Sequence, residues 1–361
     1  MKDLGPALDS LLAPVLERGP LAPVTGSGLV IGILDHGAQQ IYAYGAAQED
    51  SIFEIGSVTK TFTGLALAQM IVQKKVALDE PVRELLPPGI VAQPAATEIT
   101  LLDLVTQRSG LPRLPENLAR NPAVNPTNPY ANYGADQLYA YLRKRGLKRP
   151  AGAKFEYSNL GFGLLGHALA LRAGTSYEEM IRREILAPLG LEDTAVALSA
   201  AQRARLLPGH DAENKTVPAW DFQDALAGCG ALRSSAGDLL KYLQANLHPE
   251  RLAAGETEPN SSLATMPAAF ALDHAERGDA QGPYKIAFAW MYVPQSQGYW
   301  HNGGTGGYTS EVLFNRKKDL AIVVLYNRQD IDPKRAKPQF SSQILQNVIL
   351  LVNGREPMPL Q

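Results

Sequence analysis

The feature that most constrains this chain is the placement of its strand patterns, which occur towards its two ends with a long helix-patterned stretch between them. Residues 28–34 and 40–44 read as strands joined by a turn at His36-Gly37, and residues 286–292, 309–314 and 321–326 read as strands near the other end. From Pro81 to about Asn246, helical patterns alternate with Pro-rich loops, notably residues 112–129, which hold Pro112, Pro115, Pro122, Pro126 and Pro129. The ends are therefore expected to build one α/β region from residues 1–80 and 275–361, around an inserted, mainly helical region, 81–274. Groups supplied by both parts place a site in the cleft between them. Residues 8–17 and 341–352 read as helices, and residues 249–279 as a loop-rich connection.

A strongly helical run, residues 59–73, opens on Ser57-Val58-Thr59-Lys60. Residues three apart share a helix face. A helix starting at Ser57 would set the serine oxygen among unpaired backbone N–H groups, with the Lys60 ammonium above it. That arrangement activates a serine without histidine. Taken alone, the same four residues also describe a capping serine followed by a surface lysine.

Two further segments bear on the choice. Tyr157-Ser158-Asn159 follows a turn at Pro150-Ala151-Gly152 and precedes an apolar stretch. A phenol beside a lysine amine is held towards phenolate and suits acid/base work. Asn159 offers an amide able to donate to a substrate carbonyl and accept from Lys60. Read in isolation, Tyr157 is a half-buried aromatic at a helix entrance with Asn159 as its cap. The second segment is His301-Asn302-Gly303-Gly304-Thr305-Gly306-Gly307, whose bare backbone lets a substrate lie alongside and meet main-chain donors. No G-K-[ST] follows these glycines, which sets phosphate binding aside.

In this order the three elements resemble the serine β-lactamase and penicillin-binding protein superfamily, in its class C β-lactamase branch. The resemblance extends through residues 53–64, 78–82 and 99–104, Ser109-Gly110-Leu111-Pro112, residues 157–161, 187–191 and 230–238, and residues 303–308. It implies a β-lactamase/transpeptidase-like fold, an antiparallel sheet flanked by helices. It also implies a Ser57 nucleophile, a proton shuttle shared by Lys60 and Tyr157, orientation of the substrate by Asn159, and an oxyanion hole from the backbone N–H groups of Ser57 and Gly304. Which of Lys60 and Tyr157 takes the serine proton is left open. Gly230 sits where class C enzymes often carry an aromatic, which implies a wider cleft.

One departure stands out. The family's third motif normally reads K-T-G, and here the triplet is His301-Asn302-Gly303. The family lysine helps recognise a carboxylate; histidine reaches less far and carries only part of a charge at neutral pH. A lysine restored at 301 is expected to favour carboxylate-bearing β-lactams. Related esterases and D-aminopeptidases tolerate histidine or tryptophan at this place.

The resemblance therefore implies a serine hydrolase acting on β-lactam amides or D-amino-acid peptides, in the manner of a DD-carboxypeptidase. A broad carboxylesterase is the alternative; no G-x-S-x-G is present to supply an α/β-hydrolase elbow. A penicillin-binding or sensor module that acylates without turnover is placed third. Substrate-binding positions are Asn159, His301, Asn302, Gly303 and Gly304.

With 34 basic against 36 acidic residues, the chain has no bulk attraction for nucleic acid or anionic membrane, and small-molecule substrates fit better. The single cysteine, Cys229, excludes an intramolecular disulfide and reads as a small buried residue. The six histidines are scattered, so neither a metal nor another cofactor is expected. No stretch reaches the roughly 18 apolar residues of a membrane span. The first residues lack the apolar run of a secretory signal. Relatives implied by the resemblance are often exported, so both a periplasmic or secreted mature form and a cytoplasmic protein stay open.

Overall fold

The amphipathic run near the start forms helix α1 (Gly5–Arg18), and a hairpin follows, β1 (Gly28–Asp35) and β2 (Ala38–Gly45). Its turn uses positive φ at His36 (51°) and Gly37 (79°), the region that suits a tight hairpin. The computed structural model describes residues 2–94, 97–120, 122, 124–150, 154–252, 261–330 and 339–360. Strand β3 (Ile52–Glu54) leads through a 3-10 turn, Gly56–Val58, into α2 (Thr59–Val72).

The middle of the chain carries α3 (Leu101–Val105), α4 (Glu116–Ala119), α5 (Ala135–Arg145), α6 (Asn159–Ala173), α7 (Tyr177–Ile181) and α8 (Ala200–Arg205). A small pair, β4 (Gly209–His210) and β5 (Thr216–Val217), precedes α9 (Asp224–Ala227). Strand β6 (Arg233–Ser235) then pairs with β3 and runs into α10 (Ala236–Leu247), which lies on β1 and on the later strands Thr309–Asn315 and Leu320–Tyr326.

Residues 249–279 depart from the loop-rich reading, since α11 (Ser262–Asp273) forms there and packs on α2. Its Pro267 resembles a breaker in sequence. Tertiary contacts hold the helix nonetheless. Ser261 caps it by accepting from Ala264 N, and Gln69 Nε2 of α2 donates to Ser262 O at 2.6 Å.

The last part of the chain supplies β7 (Lys285–Ile286), β8 (Met291–Val293), β9 (Gly298–Gly304), β10 (Thr309–Asn315), β11 (Leu320–Tyr326) and α12 (Phe340–Val352). The single strand expected over 286–292 is thus a tight hairpin. Ala287 N donates to Trp290 O, Ala289 takes φ 67°, and Phe288 and Trp290 are fully buried. Two aromatic anchors in one turn override the strand pattern.

The main sheet runs β2-β1-β11-β10-β9-β8-β7, with antiparallel pairs throughout, so the two ends of the chain meet where β1 pairs with β11. Both faces of its centre are covered, which explains why β11 reads as a continuous apolar run. Leu320, Ile322, Val324 and Tyr326 pack towards α1 and α12, whereas Ala321, Val323 and Leu325 join the core under α2 and α10. The antiparallel sheet flanked by helices is the expected fold. No helix among the described residues is long and apolar enough to cross a membrane.

Candidate active site

Two glycines set the geometry around Ser57. Gly56 takes φ 47°, and a Cβ there would lie 2.7 Å from Gly304 N; a Cβ on Gly303 would lie 2.1 Å from Ile55 O. No real side chain fits either gap. The start of the α2 segment is therefore pressed against the end of β9, and Ser310 Oγ of β10 pins the same place by donating to Ile55 O at 2.9 Å. Thr305 N donates to Tyr308 O. Alternation along an antiparallel ladder then turns Gly303 towards β10 and the N–H of Gly304 away from it, on the Gly56 side. Strand β8 pairs with β9 only over Gly298–Trp300, so this end of β9 is free of that neighbour.

Ser57 is half-buried in the 3-10 turn rather than at the start of α2. Lys60, one turn on, is fully buried. Its Nζ donates to Ser57 Oγ at 2.9 Å and to Cys229 O at 2.6 Å. It is no surface lysine. The Cys229 thiol is buried, and burial pushes its pKa up.

Tyr157 and Asn159 enter from the mouth of α6. Gln107, at φ 59°, grips the preceding strand-like segment twice, accepting Glu156 N at its carbonyl and Ser158 N at its side chain, each at 2.7 Å. Ser158, and not Asn159, is the N-cap: its Oγ accepts from Gly161 N at 2.8 Å and donates to Pro112 O at 2.7 Å. The turn expected before it lies, at Ala151 and Gly152, outside the described residues. Tyr157 is brought ring-first to the site, with Lys60 Nζ 4.9 Å from its centroid. Asn159 Nδ2 donates to Tyr130 OH at 3.3 Å, and its Oδ1 is buried with no partner among the described residues. The anticipated Lys60–Asn159 bond is absent among the described residues; Lys60 Nζ donates to Ser57 and Cys229 instead.

His301 and Asn302 differ most from expectation. His301 is 3% exposed, and burial, reinforced by the Lys60 charge, pulls its pKa down to about 3. It is neutral at pH 7, not partly charged. Its Nδ1 lies 2.7 Å from Asn302 O, and since a carbonyl only accepts, the ring proton sits on Nδ1. Asn302 faces the other way. It stands opposite Glu311, which bonds Trp300 and Ser342 on the α12 side, while His301 stands opposite Val312 in the core beneath α2. The pleat thus sends the Asn302 side chain away from Ser57, and of residues 301–304 it is Gly304 that lines the pocket.

A small open pocket is lined by Gly56, Ser57, Asn159, Cys229, Gly230, Gly304 and Thr305 together with Tyr130, Trp220 and Phe222. The three aromatics form one wall: Tyr130 stacks on Phe222 at 4.5 Å between centroids and meets Trp220 at 5.3 Å. A Cβ on Gly230 would sit 3.3 Å from Phe222 Cζ, so Phe222 occupies the space that glycine was expected to leave open. Trp220 Nε1 is buried without a partner among the described residues. Below the wall, Glu54 Oε1 accepts from Trp220 N at 2.6 Å and faces Arg233 at 3.4 Å; burial raises its pKa to about 7. Tyr130, Trp220 and Phe222 carry no motif, and their sequence gave no sign that they converge.

The family model described as Beta-lactamase matches residues 22–343. The chain is 27% identical over 352 residues to the D-alanyl-D-alanine-carboxypeptidase/endopeptidase AmpH of Escherichia coli (strain K12), covering 92% of this chain and 86% of that protein. It is 25% identical over 368 residues to a beta-lactamase of Pseudomonas fluorescens, covering 93% and 96%. In fold it is similar to a class C beta lactamase from Rhodobacter sphaeroides, with a TM-score of 0.74, 24% identity, and 95% and 99% coverage. With the family model spanning most of the chain, and the Ser57–Lys60 pair seated against the glycine end of β9, the protein belongs to the β-lactamase family.

Proposed function

We propose that this enzyme, a serine hydrolase of the β-lactamase family, opens β-lactam amides or cleaves D-amino-acid peptides through an acyl-enzyme on Ser57. The observation that carries the reading is the 2.9 Å hydrogen bond between Lys60 Nζ and Ser57 Oγ. The Lys60–Tyr157 pair takes the hydroxyl proton while Oγ attacks the substrate carbonyl carbon. Charge developing on the carbonyl oxygen is met by the N–H groups of Ser57 and Gly304. The C–N bond then breaks. Tyr157 gives its proton to the departing amine and recovers one from Lys60. Water next attacks the acyl carbon, its proton passes to the same pair, and the C–Oγ bond breaks as a proton returns to Ser57. Asn159, with its free Oδ1, accepts from an N–H of the acyl portion.

Ester hydrolysis is a second reading, favoured by the neutral state of His301. The deciding experiment compares a chromogenic cephalosporin with p-nitrophenyl butyrate, alongside intact-mass analysis and Ser57→Ala. Cephalosporin turnover with a transient adduct on Ser57 is expected, and Ser57→Ala should lose on the order of 10⁴-fold or more. Turnover of the ester alone would move the enzyme to the carboxylesterases, and a stable adduct without turnover would make it a penicillin-binding module. Substantial activity in Ser57→Ala would place the nucleophile elsewhere.

A further inference from the structure

With His301 buried and neutral, the site lacks the cation with which the third motif normally meets a carboxylate. The cations near the pocket are not equivalent. Lys60 is enclosed and committed to Ser57 and Cys229. Arg233 is held by Glu54, Asp221 and the carbonyls of Val196 and Trp220. Arg113 is exposed and makes no ion pair among the described residues. Its backbone is fixed by the site itself, since Arg113 O accepts from Asn159 N at 3.0 Å and from Leu160 N at 3.2 Å. Its guanidinium carbon lies 5.1 Å from the Tyr157 ring centroid. Burial raises the pKa of Tyr130 and of Cys229, both of which line the pocket, and the Arg113 charge acts on each in the opposite sense.

We infer that Arg113 is the carboxylate-recognising residue of this enzyme, taking the place that the motif lysine holds elsewhere. The inference rests on the proposed amide-hydrolase reading. Its chemistry is local. In a peptide ending in a D-amino acid, the carboxylate is one carbon removed from the nitrogen that leaves, and in a cephalosporin the ring carboxylate is equally close to the lactam nitrogen. Whatever group protonates that nitrogen must therefore have the carboxylate a few ångströms away. Tyr157 is the proposed proton donor, and Arg113 stands against its ring with a free planar fork that matches a carboxylate in two hydrogen bonds.

The test uses one chromogenic cephalosporin as the free acid and as its carboxylate methyl ester, with the full-length enzyme, Arg113→Gln and Arg113→Lys. A charge-assisted, two-bond contact is worth about 10- to 100-fold in this setting. Arg113→Gln is expected to lower kcat/KM on the free acid by that factor, mostly through KM, with a much smaller loss on the methyl ester. Arg113→Lys should recover part of the preference. Equal losses on acid and ester would overturn the inference, since they mark a group that only positions Tyr157. An unchanged acid-to-ester ratio would overturn it too. If the wild-type enzyme forms no acyl adduct with either compound, the amide-hydrolase reading fails, and the inference falls with it.

Discussion

His301 shows how one side chain changes meaning once it is placed. In the motif it stands where a lysine anchors carboxylates, yet it is enclosed beside Lys60 with its proton committed to Asn302 O. Restoring lysine would not restore the anchor. It would bury a second ammonium against the first, at a cost of ~3 kcal/mol for an uncompensated charge. His301→Lys is therefore expected to lower Tm by several degrees at pH 7. The difference from wild type should shrink near pH 10, where the new lysine sheds its proton. Preference for free-acid cephalosporins should not improve. Thermal melts at the two pH values, with the acid-to-ester rate ratio, check both statements.

At the scale of elements, the site depends on the mouth of α6 being held in register. Ser158 does two things there, capping Gly161 N and tying the helix to Pro112 O. Gln107 clamps the residues on either side of Tyr157. Ser158→Ala loses a cap and leaves Pro112 O without that donor, about 1–2 kcal/mol of stability. The same change loosens the backbone that presents both Tyr157 and Asn159. The predicted signature is a kcat loss of at least about tenfold on both cephalosporin and ester, with a modest fall in Tm. A loss of Tm with kcat preserved would show that the Ser158 bonds hold the helix but not the catalytic geometry.

Across the whole molecule, several buried ionisable groups set how stability follows pH. Burial raises Glu54 and Glu311 to about 7, so the unfolded chain binds fewer protons than the native one between about pH 4.5 and 7. Their contribution is full below that window and is lost as pH rises through it. His274 and His301 are pulled down to about 3 by burial, so they act in the opposite sense, and their contribution is lost as pH falls from about 6.5 to 3. The two sets offset each other between about pH 4.5 and 6.5, and below that the histidines act together with carboxylates held low by their partners, such as Asp193 beside Arg205. Glu311→Gln, which keeps the shape between Trp300 and Ser342, should gain stability relative to wild type on going from pH 4.5 to 8, by on the order of 3 kcal/mol. Denaturant titrations of both proteins at those pH values measure the difference. An equal offset at both would show that Glu311 ionises freely in the native state.

The linear chain carried the Ser57 turn, the lysine one turn above it, the tyrosine at the mouth of α6 and the antiparallel strands at both ends. Those features depend on spacings of three and on alternation, which neighbours in sequence impose. It also carried the family, because the spaced motifs survive in order. The helix over Ser262–Asp273, broken in sequence by Pro267, and the hairpin hidden in residues 286–292 were decided by packing on α2 and by buried Phe288 and Trp290. Tertiary structure alone gathered Tyr130, Trp220 and Phe222 into a wall, left Arg113 exposed beside Tyr157, and put His301 in the core with Asn302 on the opposite face of the sheet. Charge state and direction depend on what surrounds a side chain from distant parts of the chain, and no local pattern records that environment.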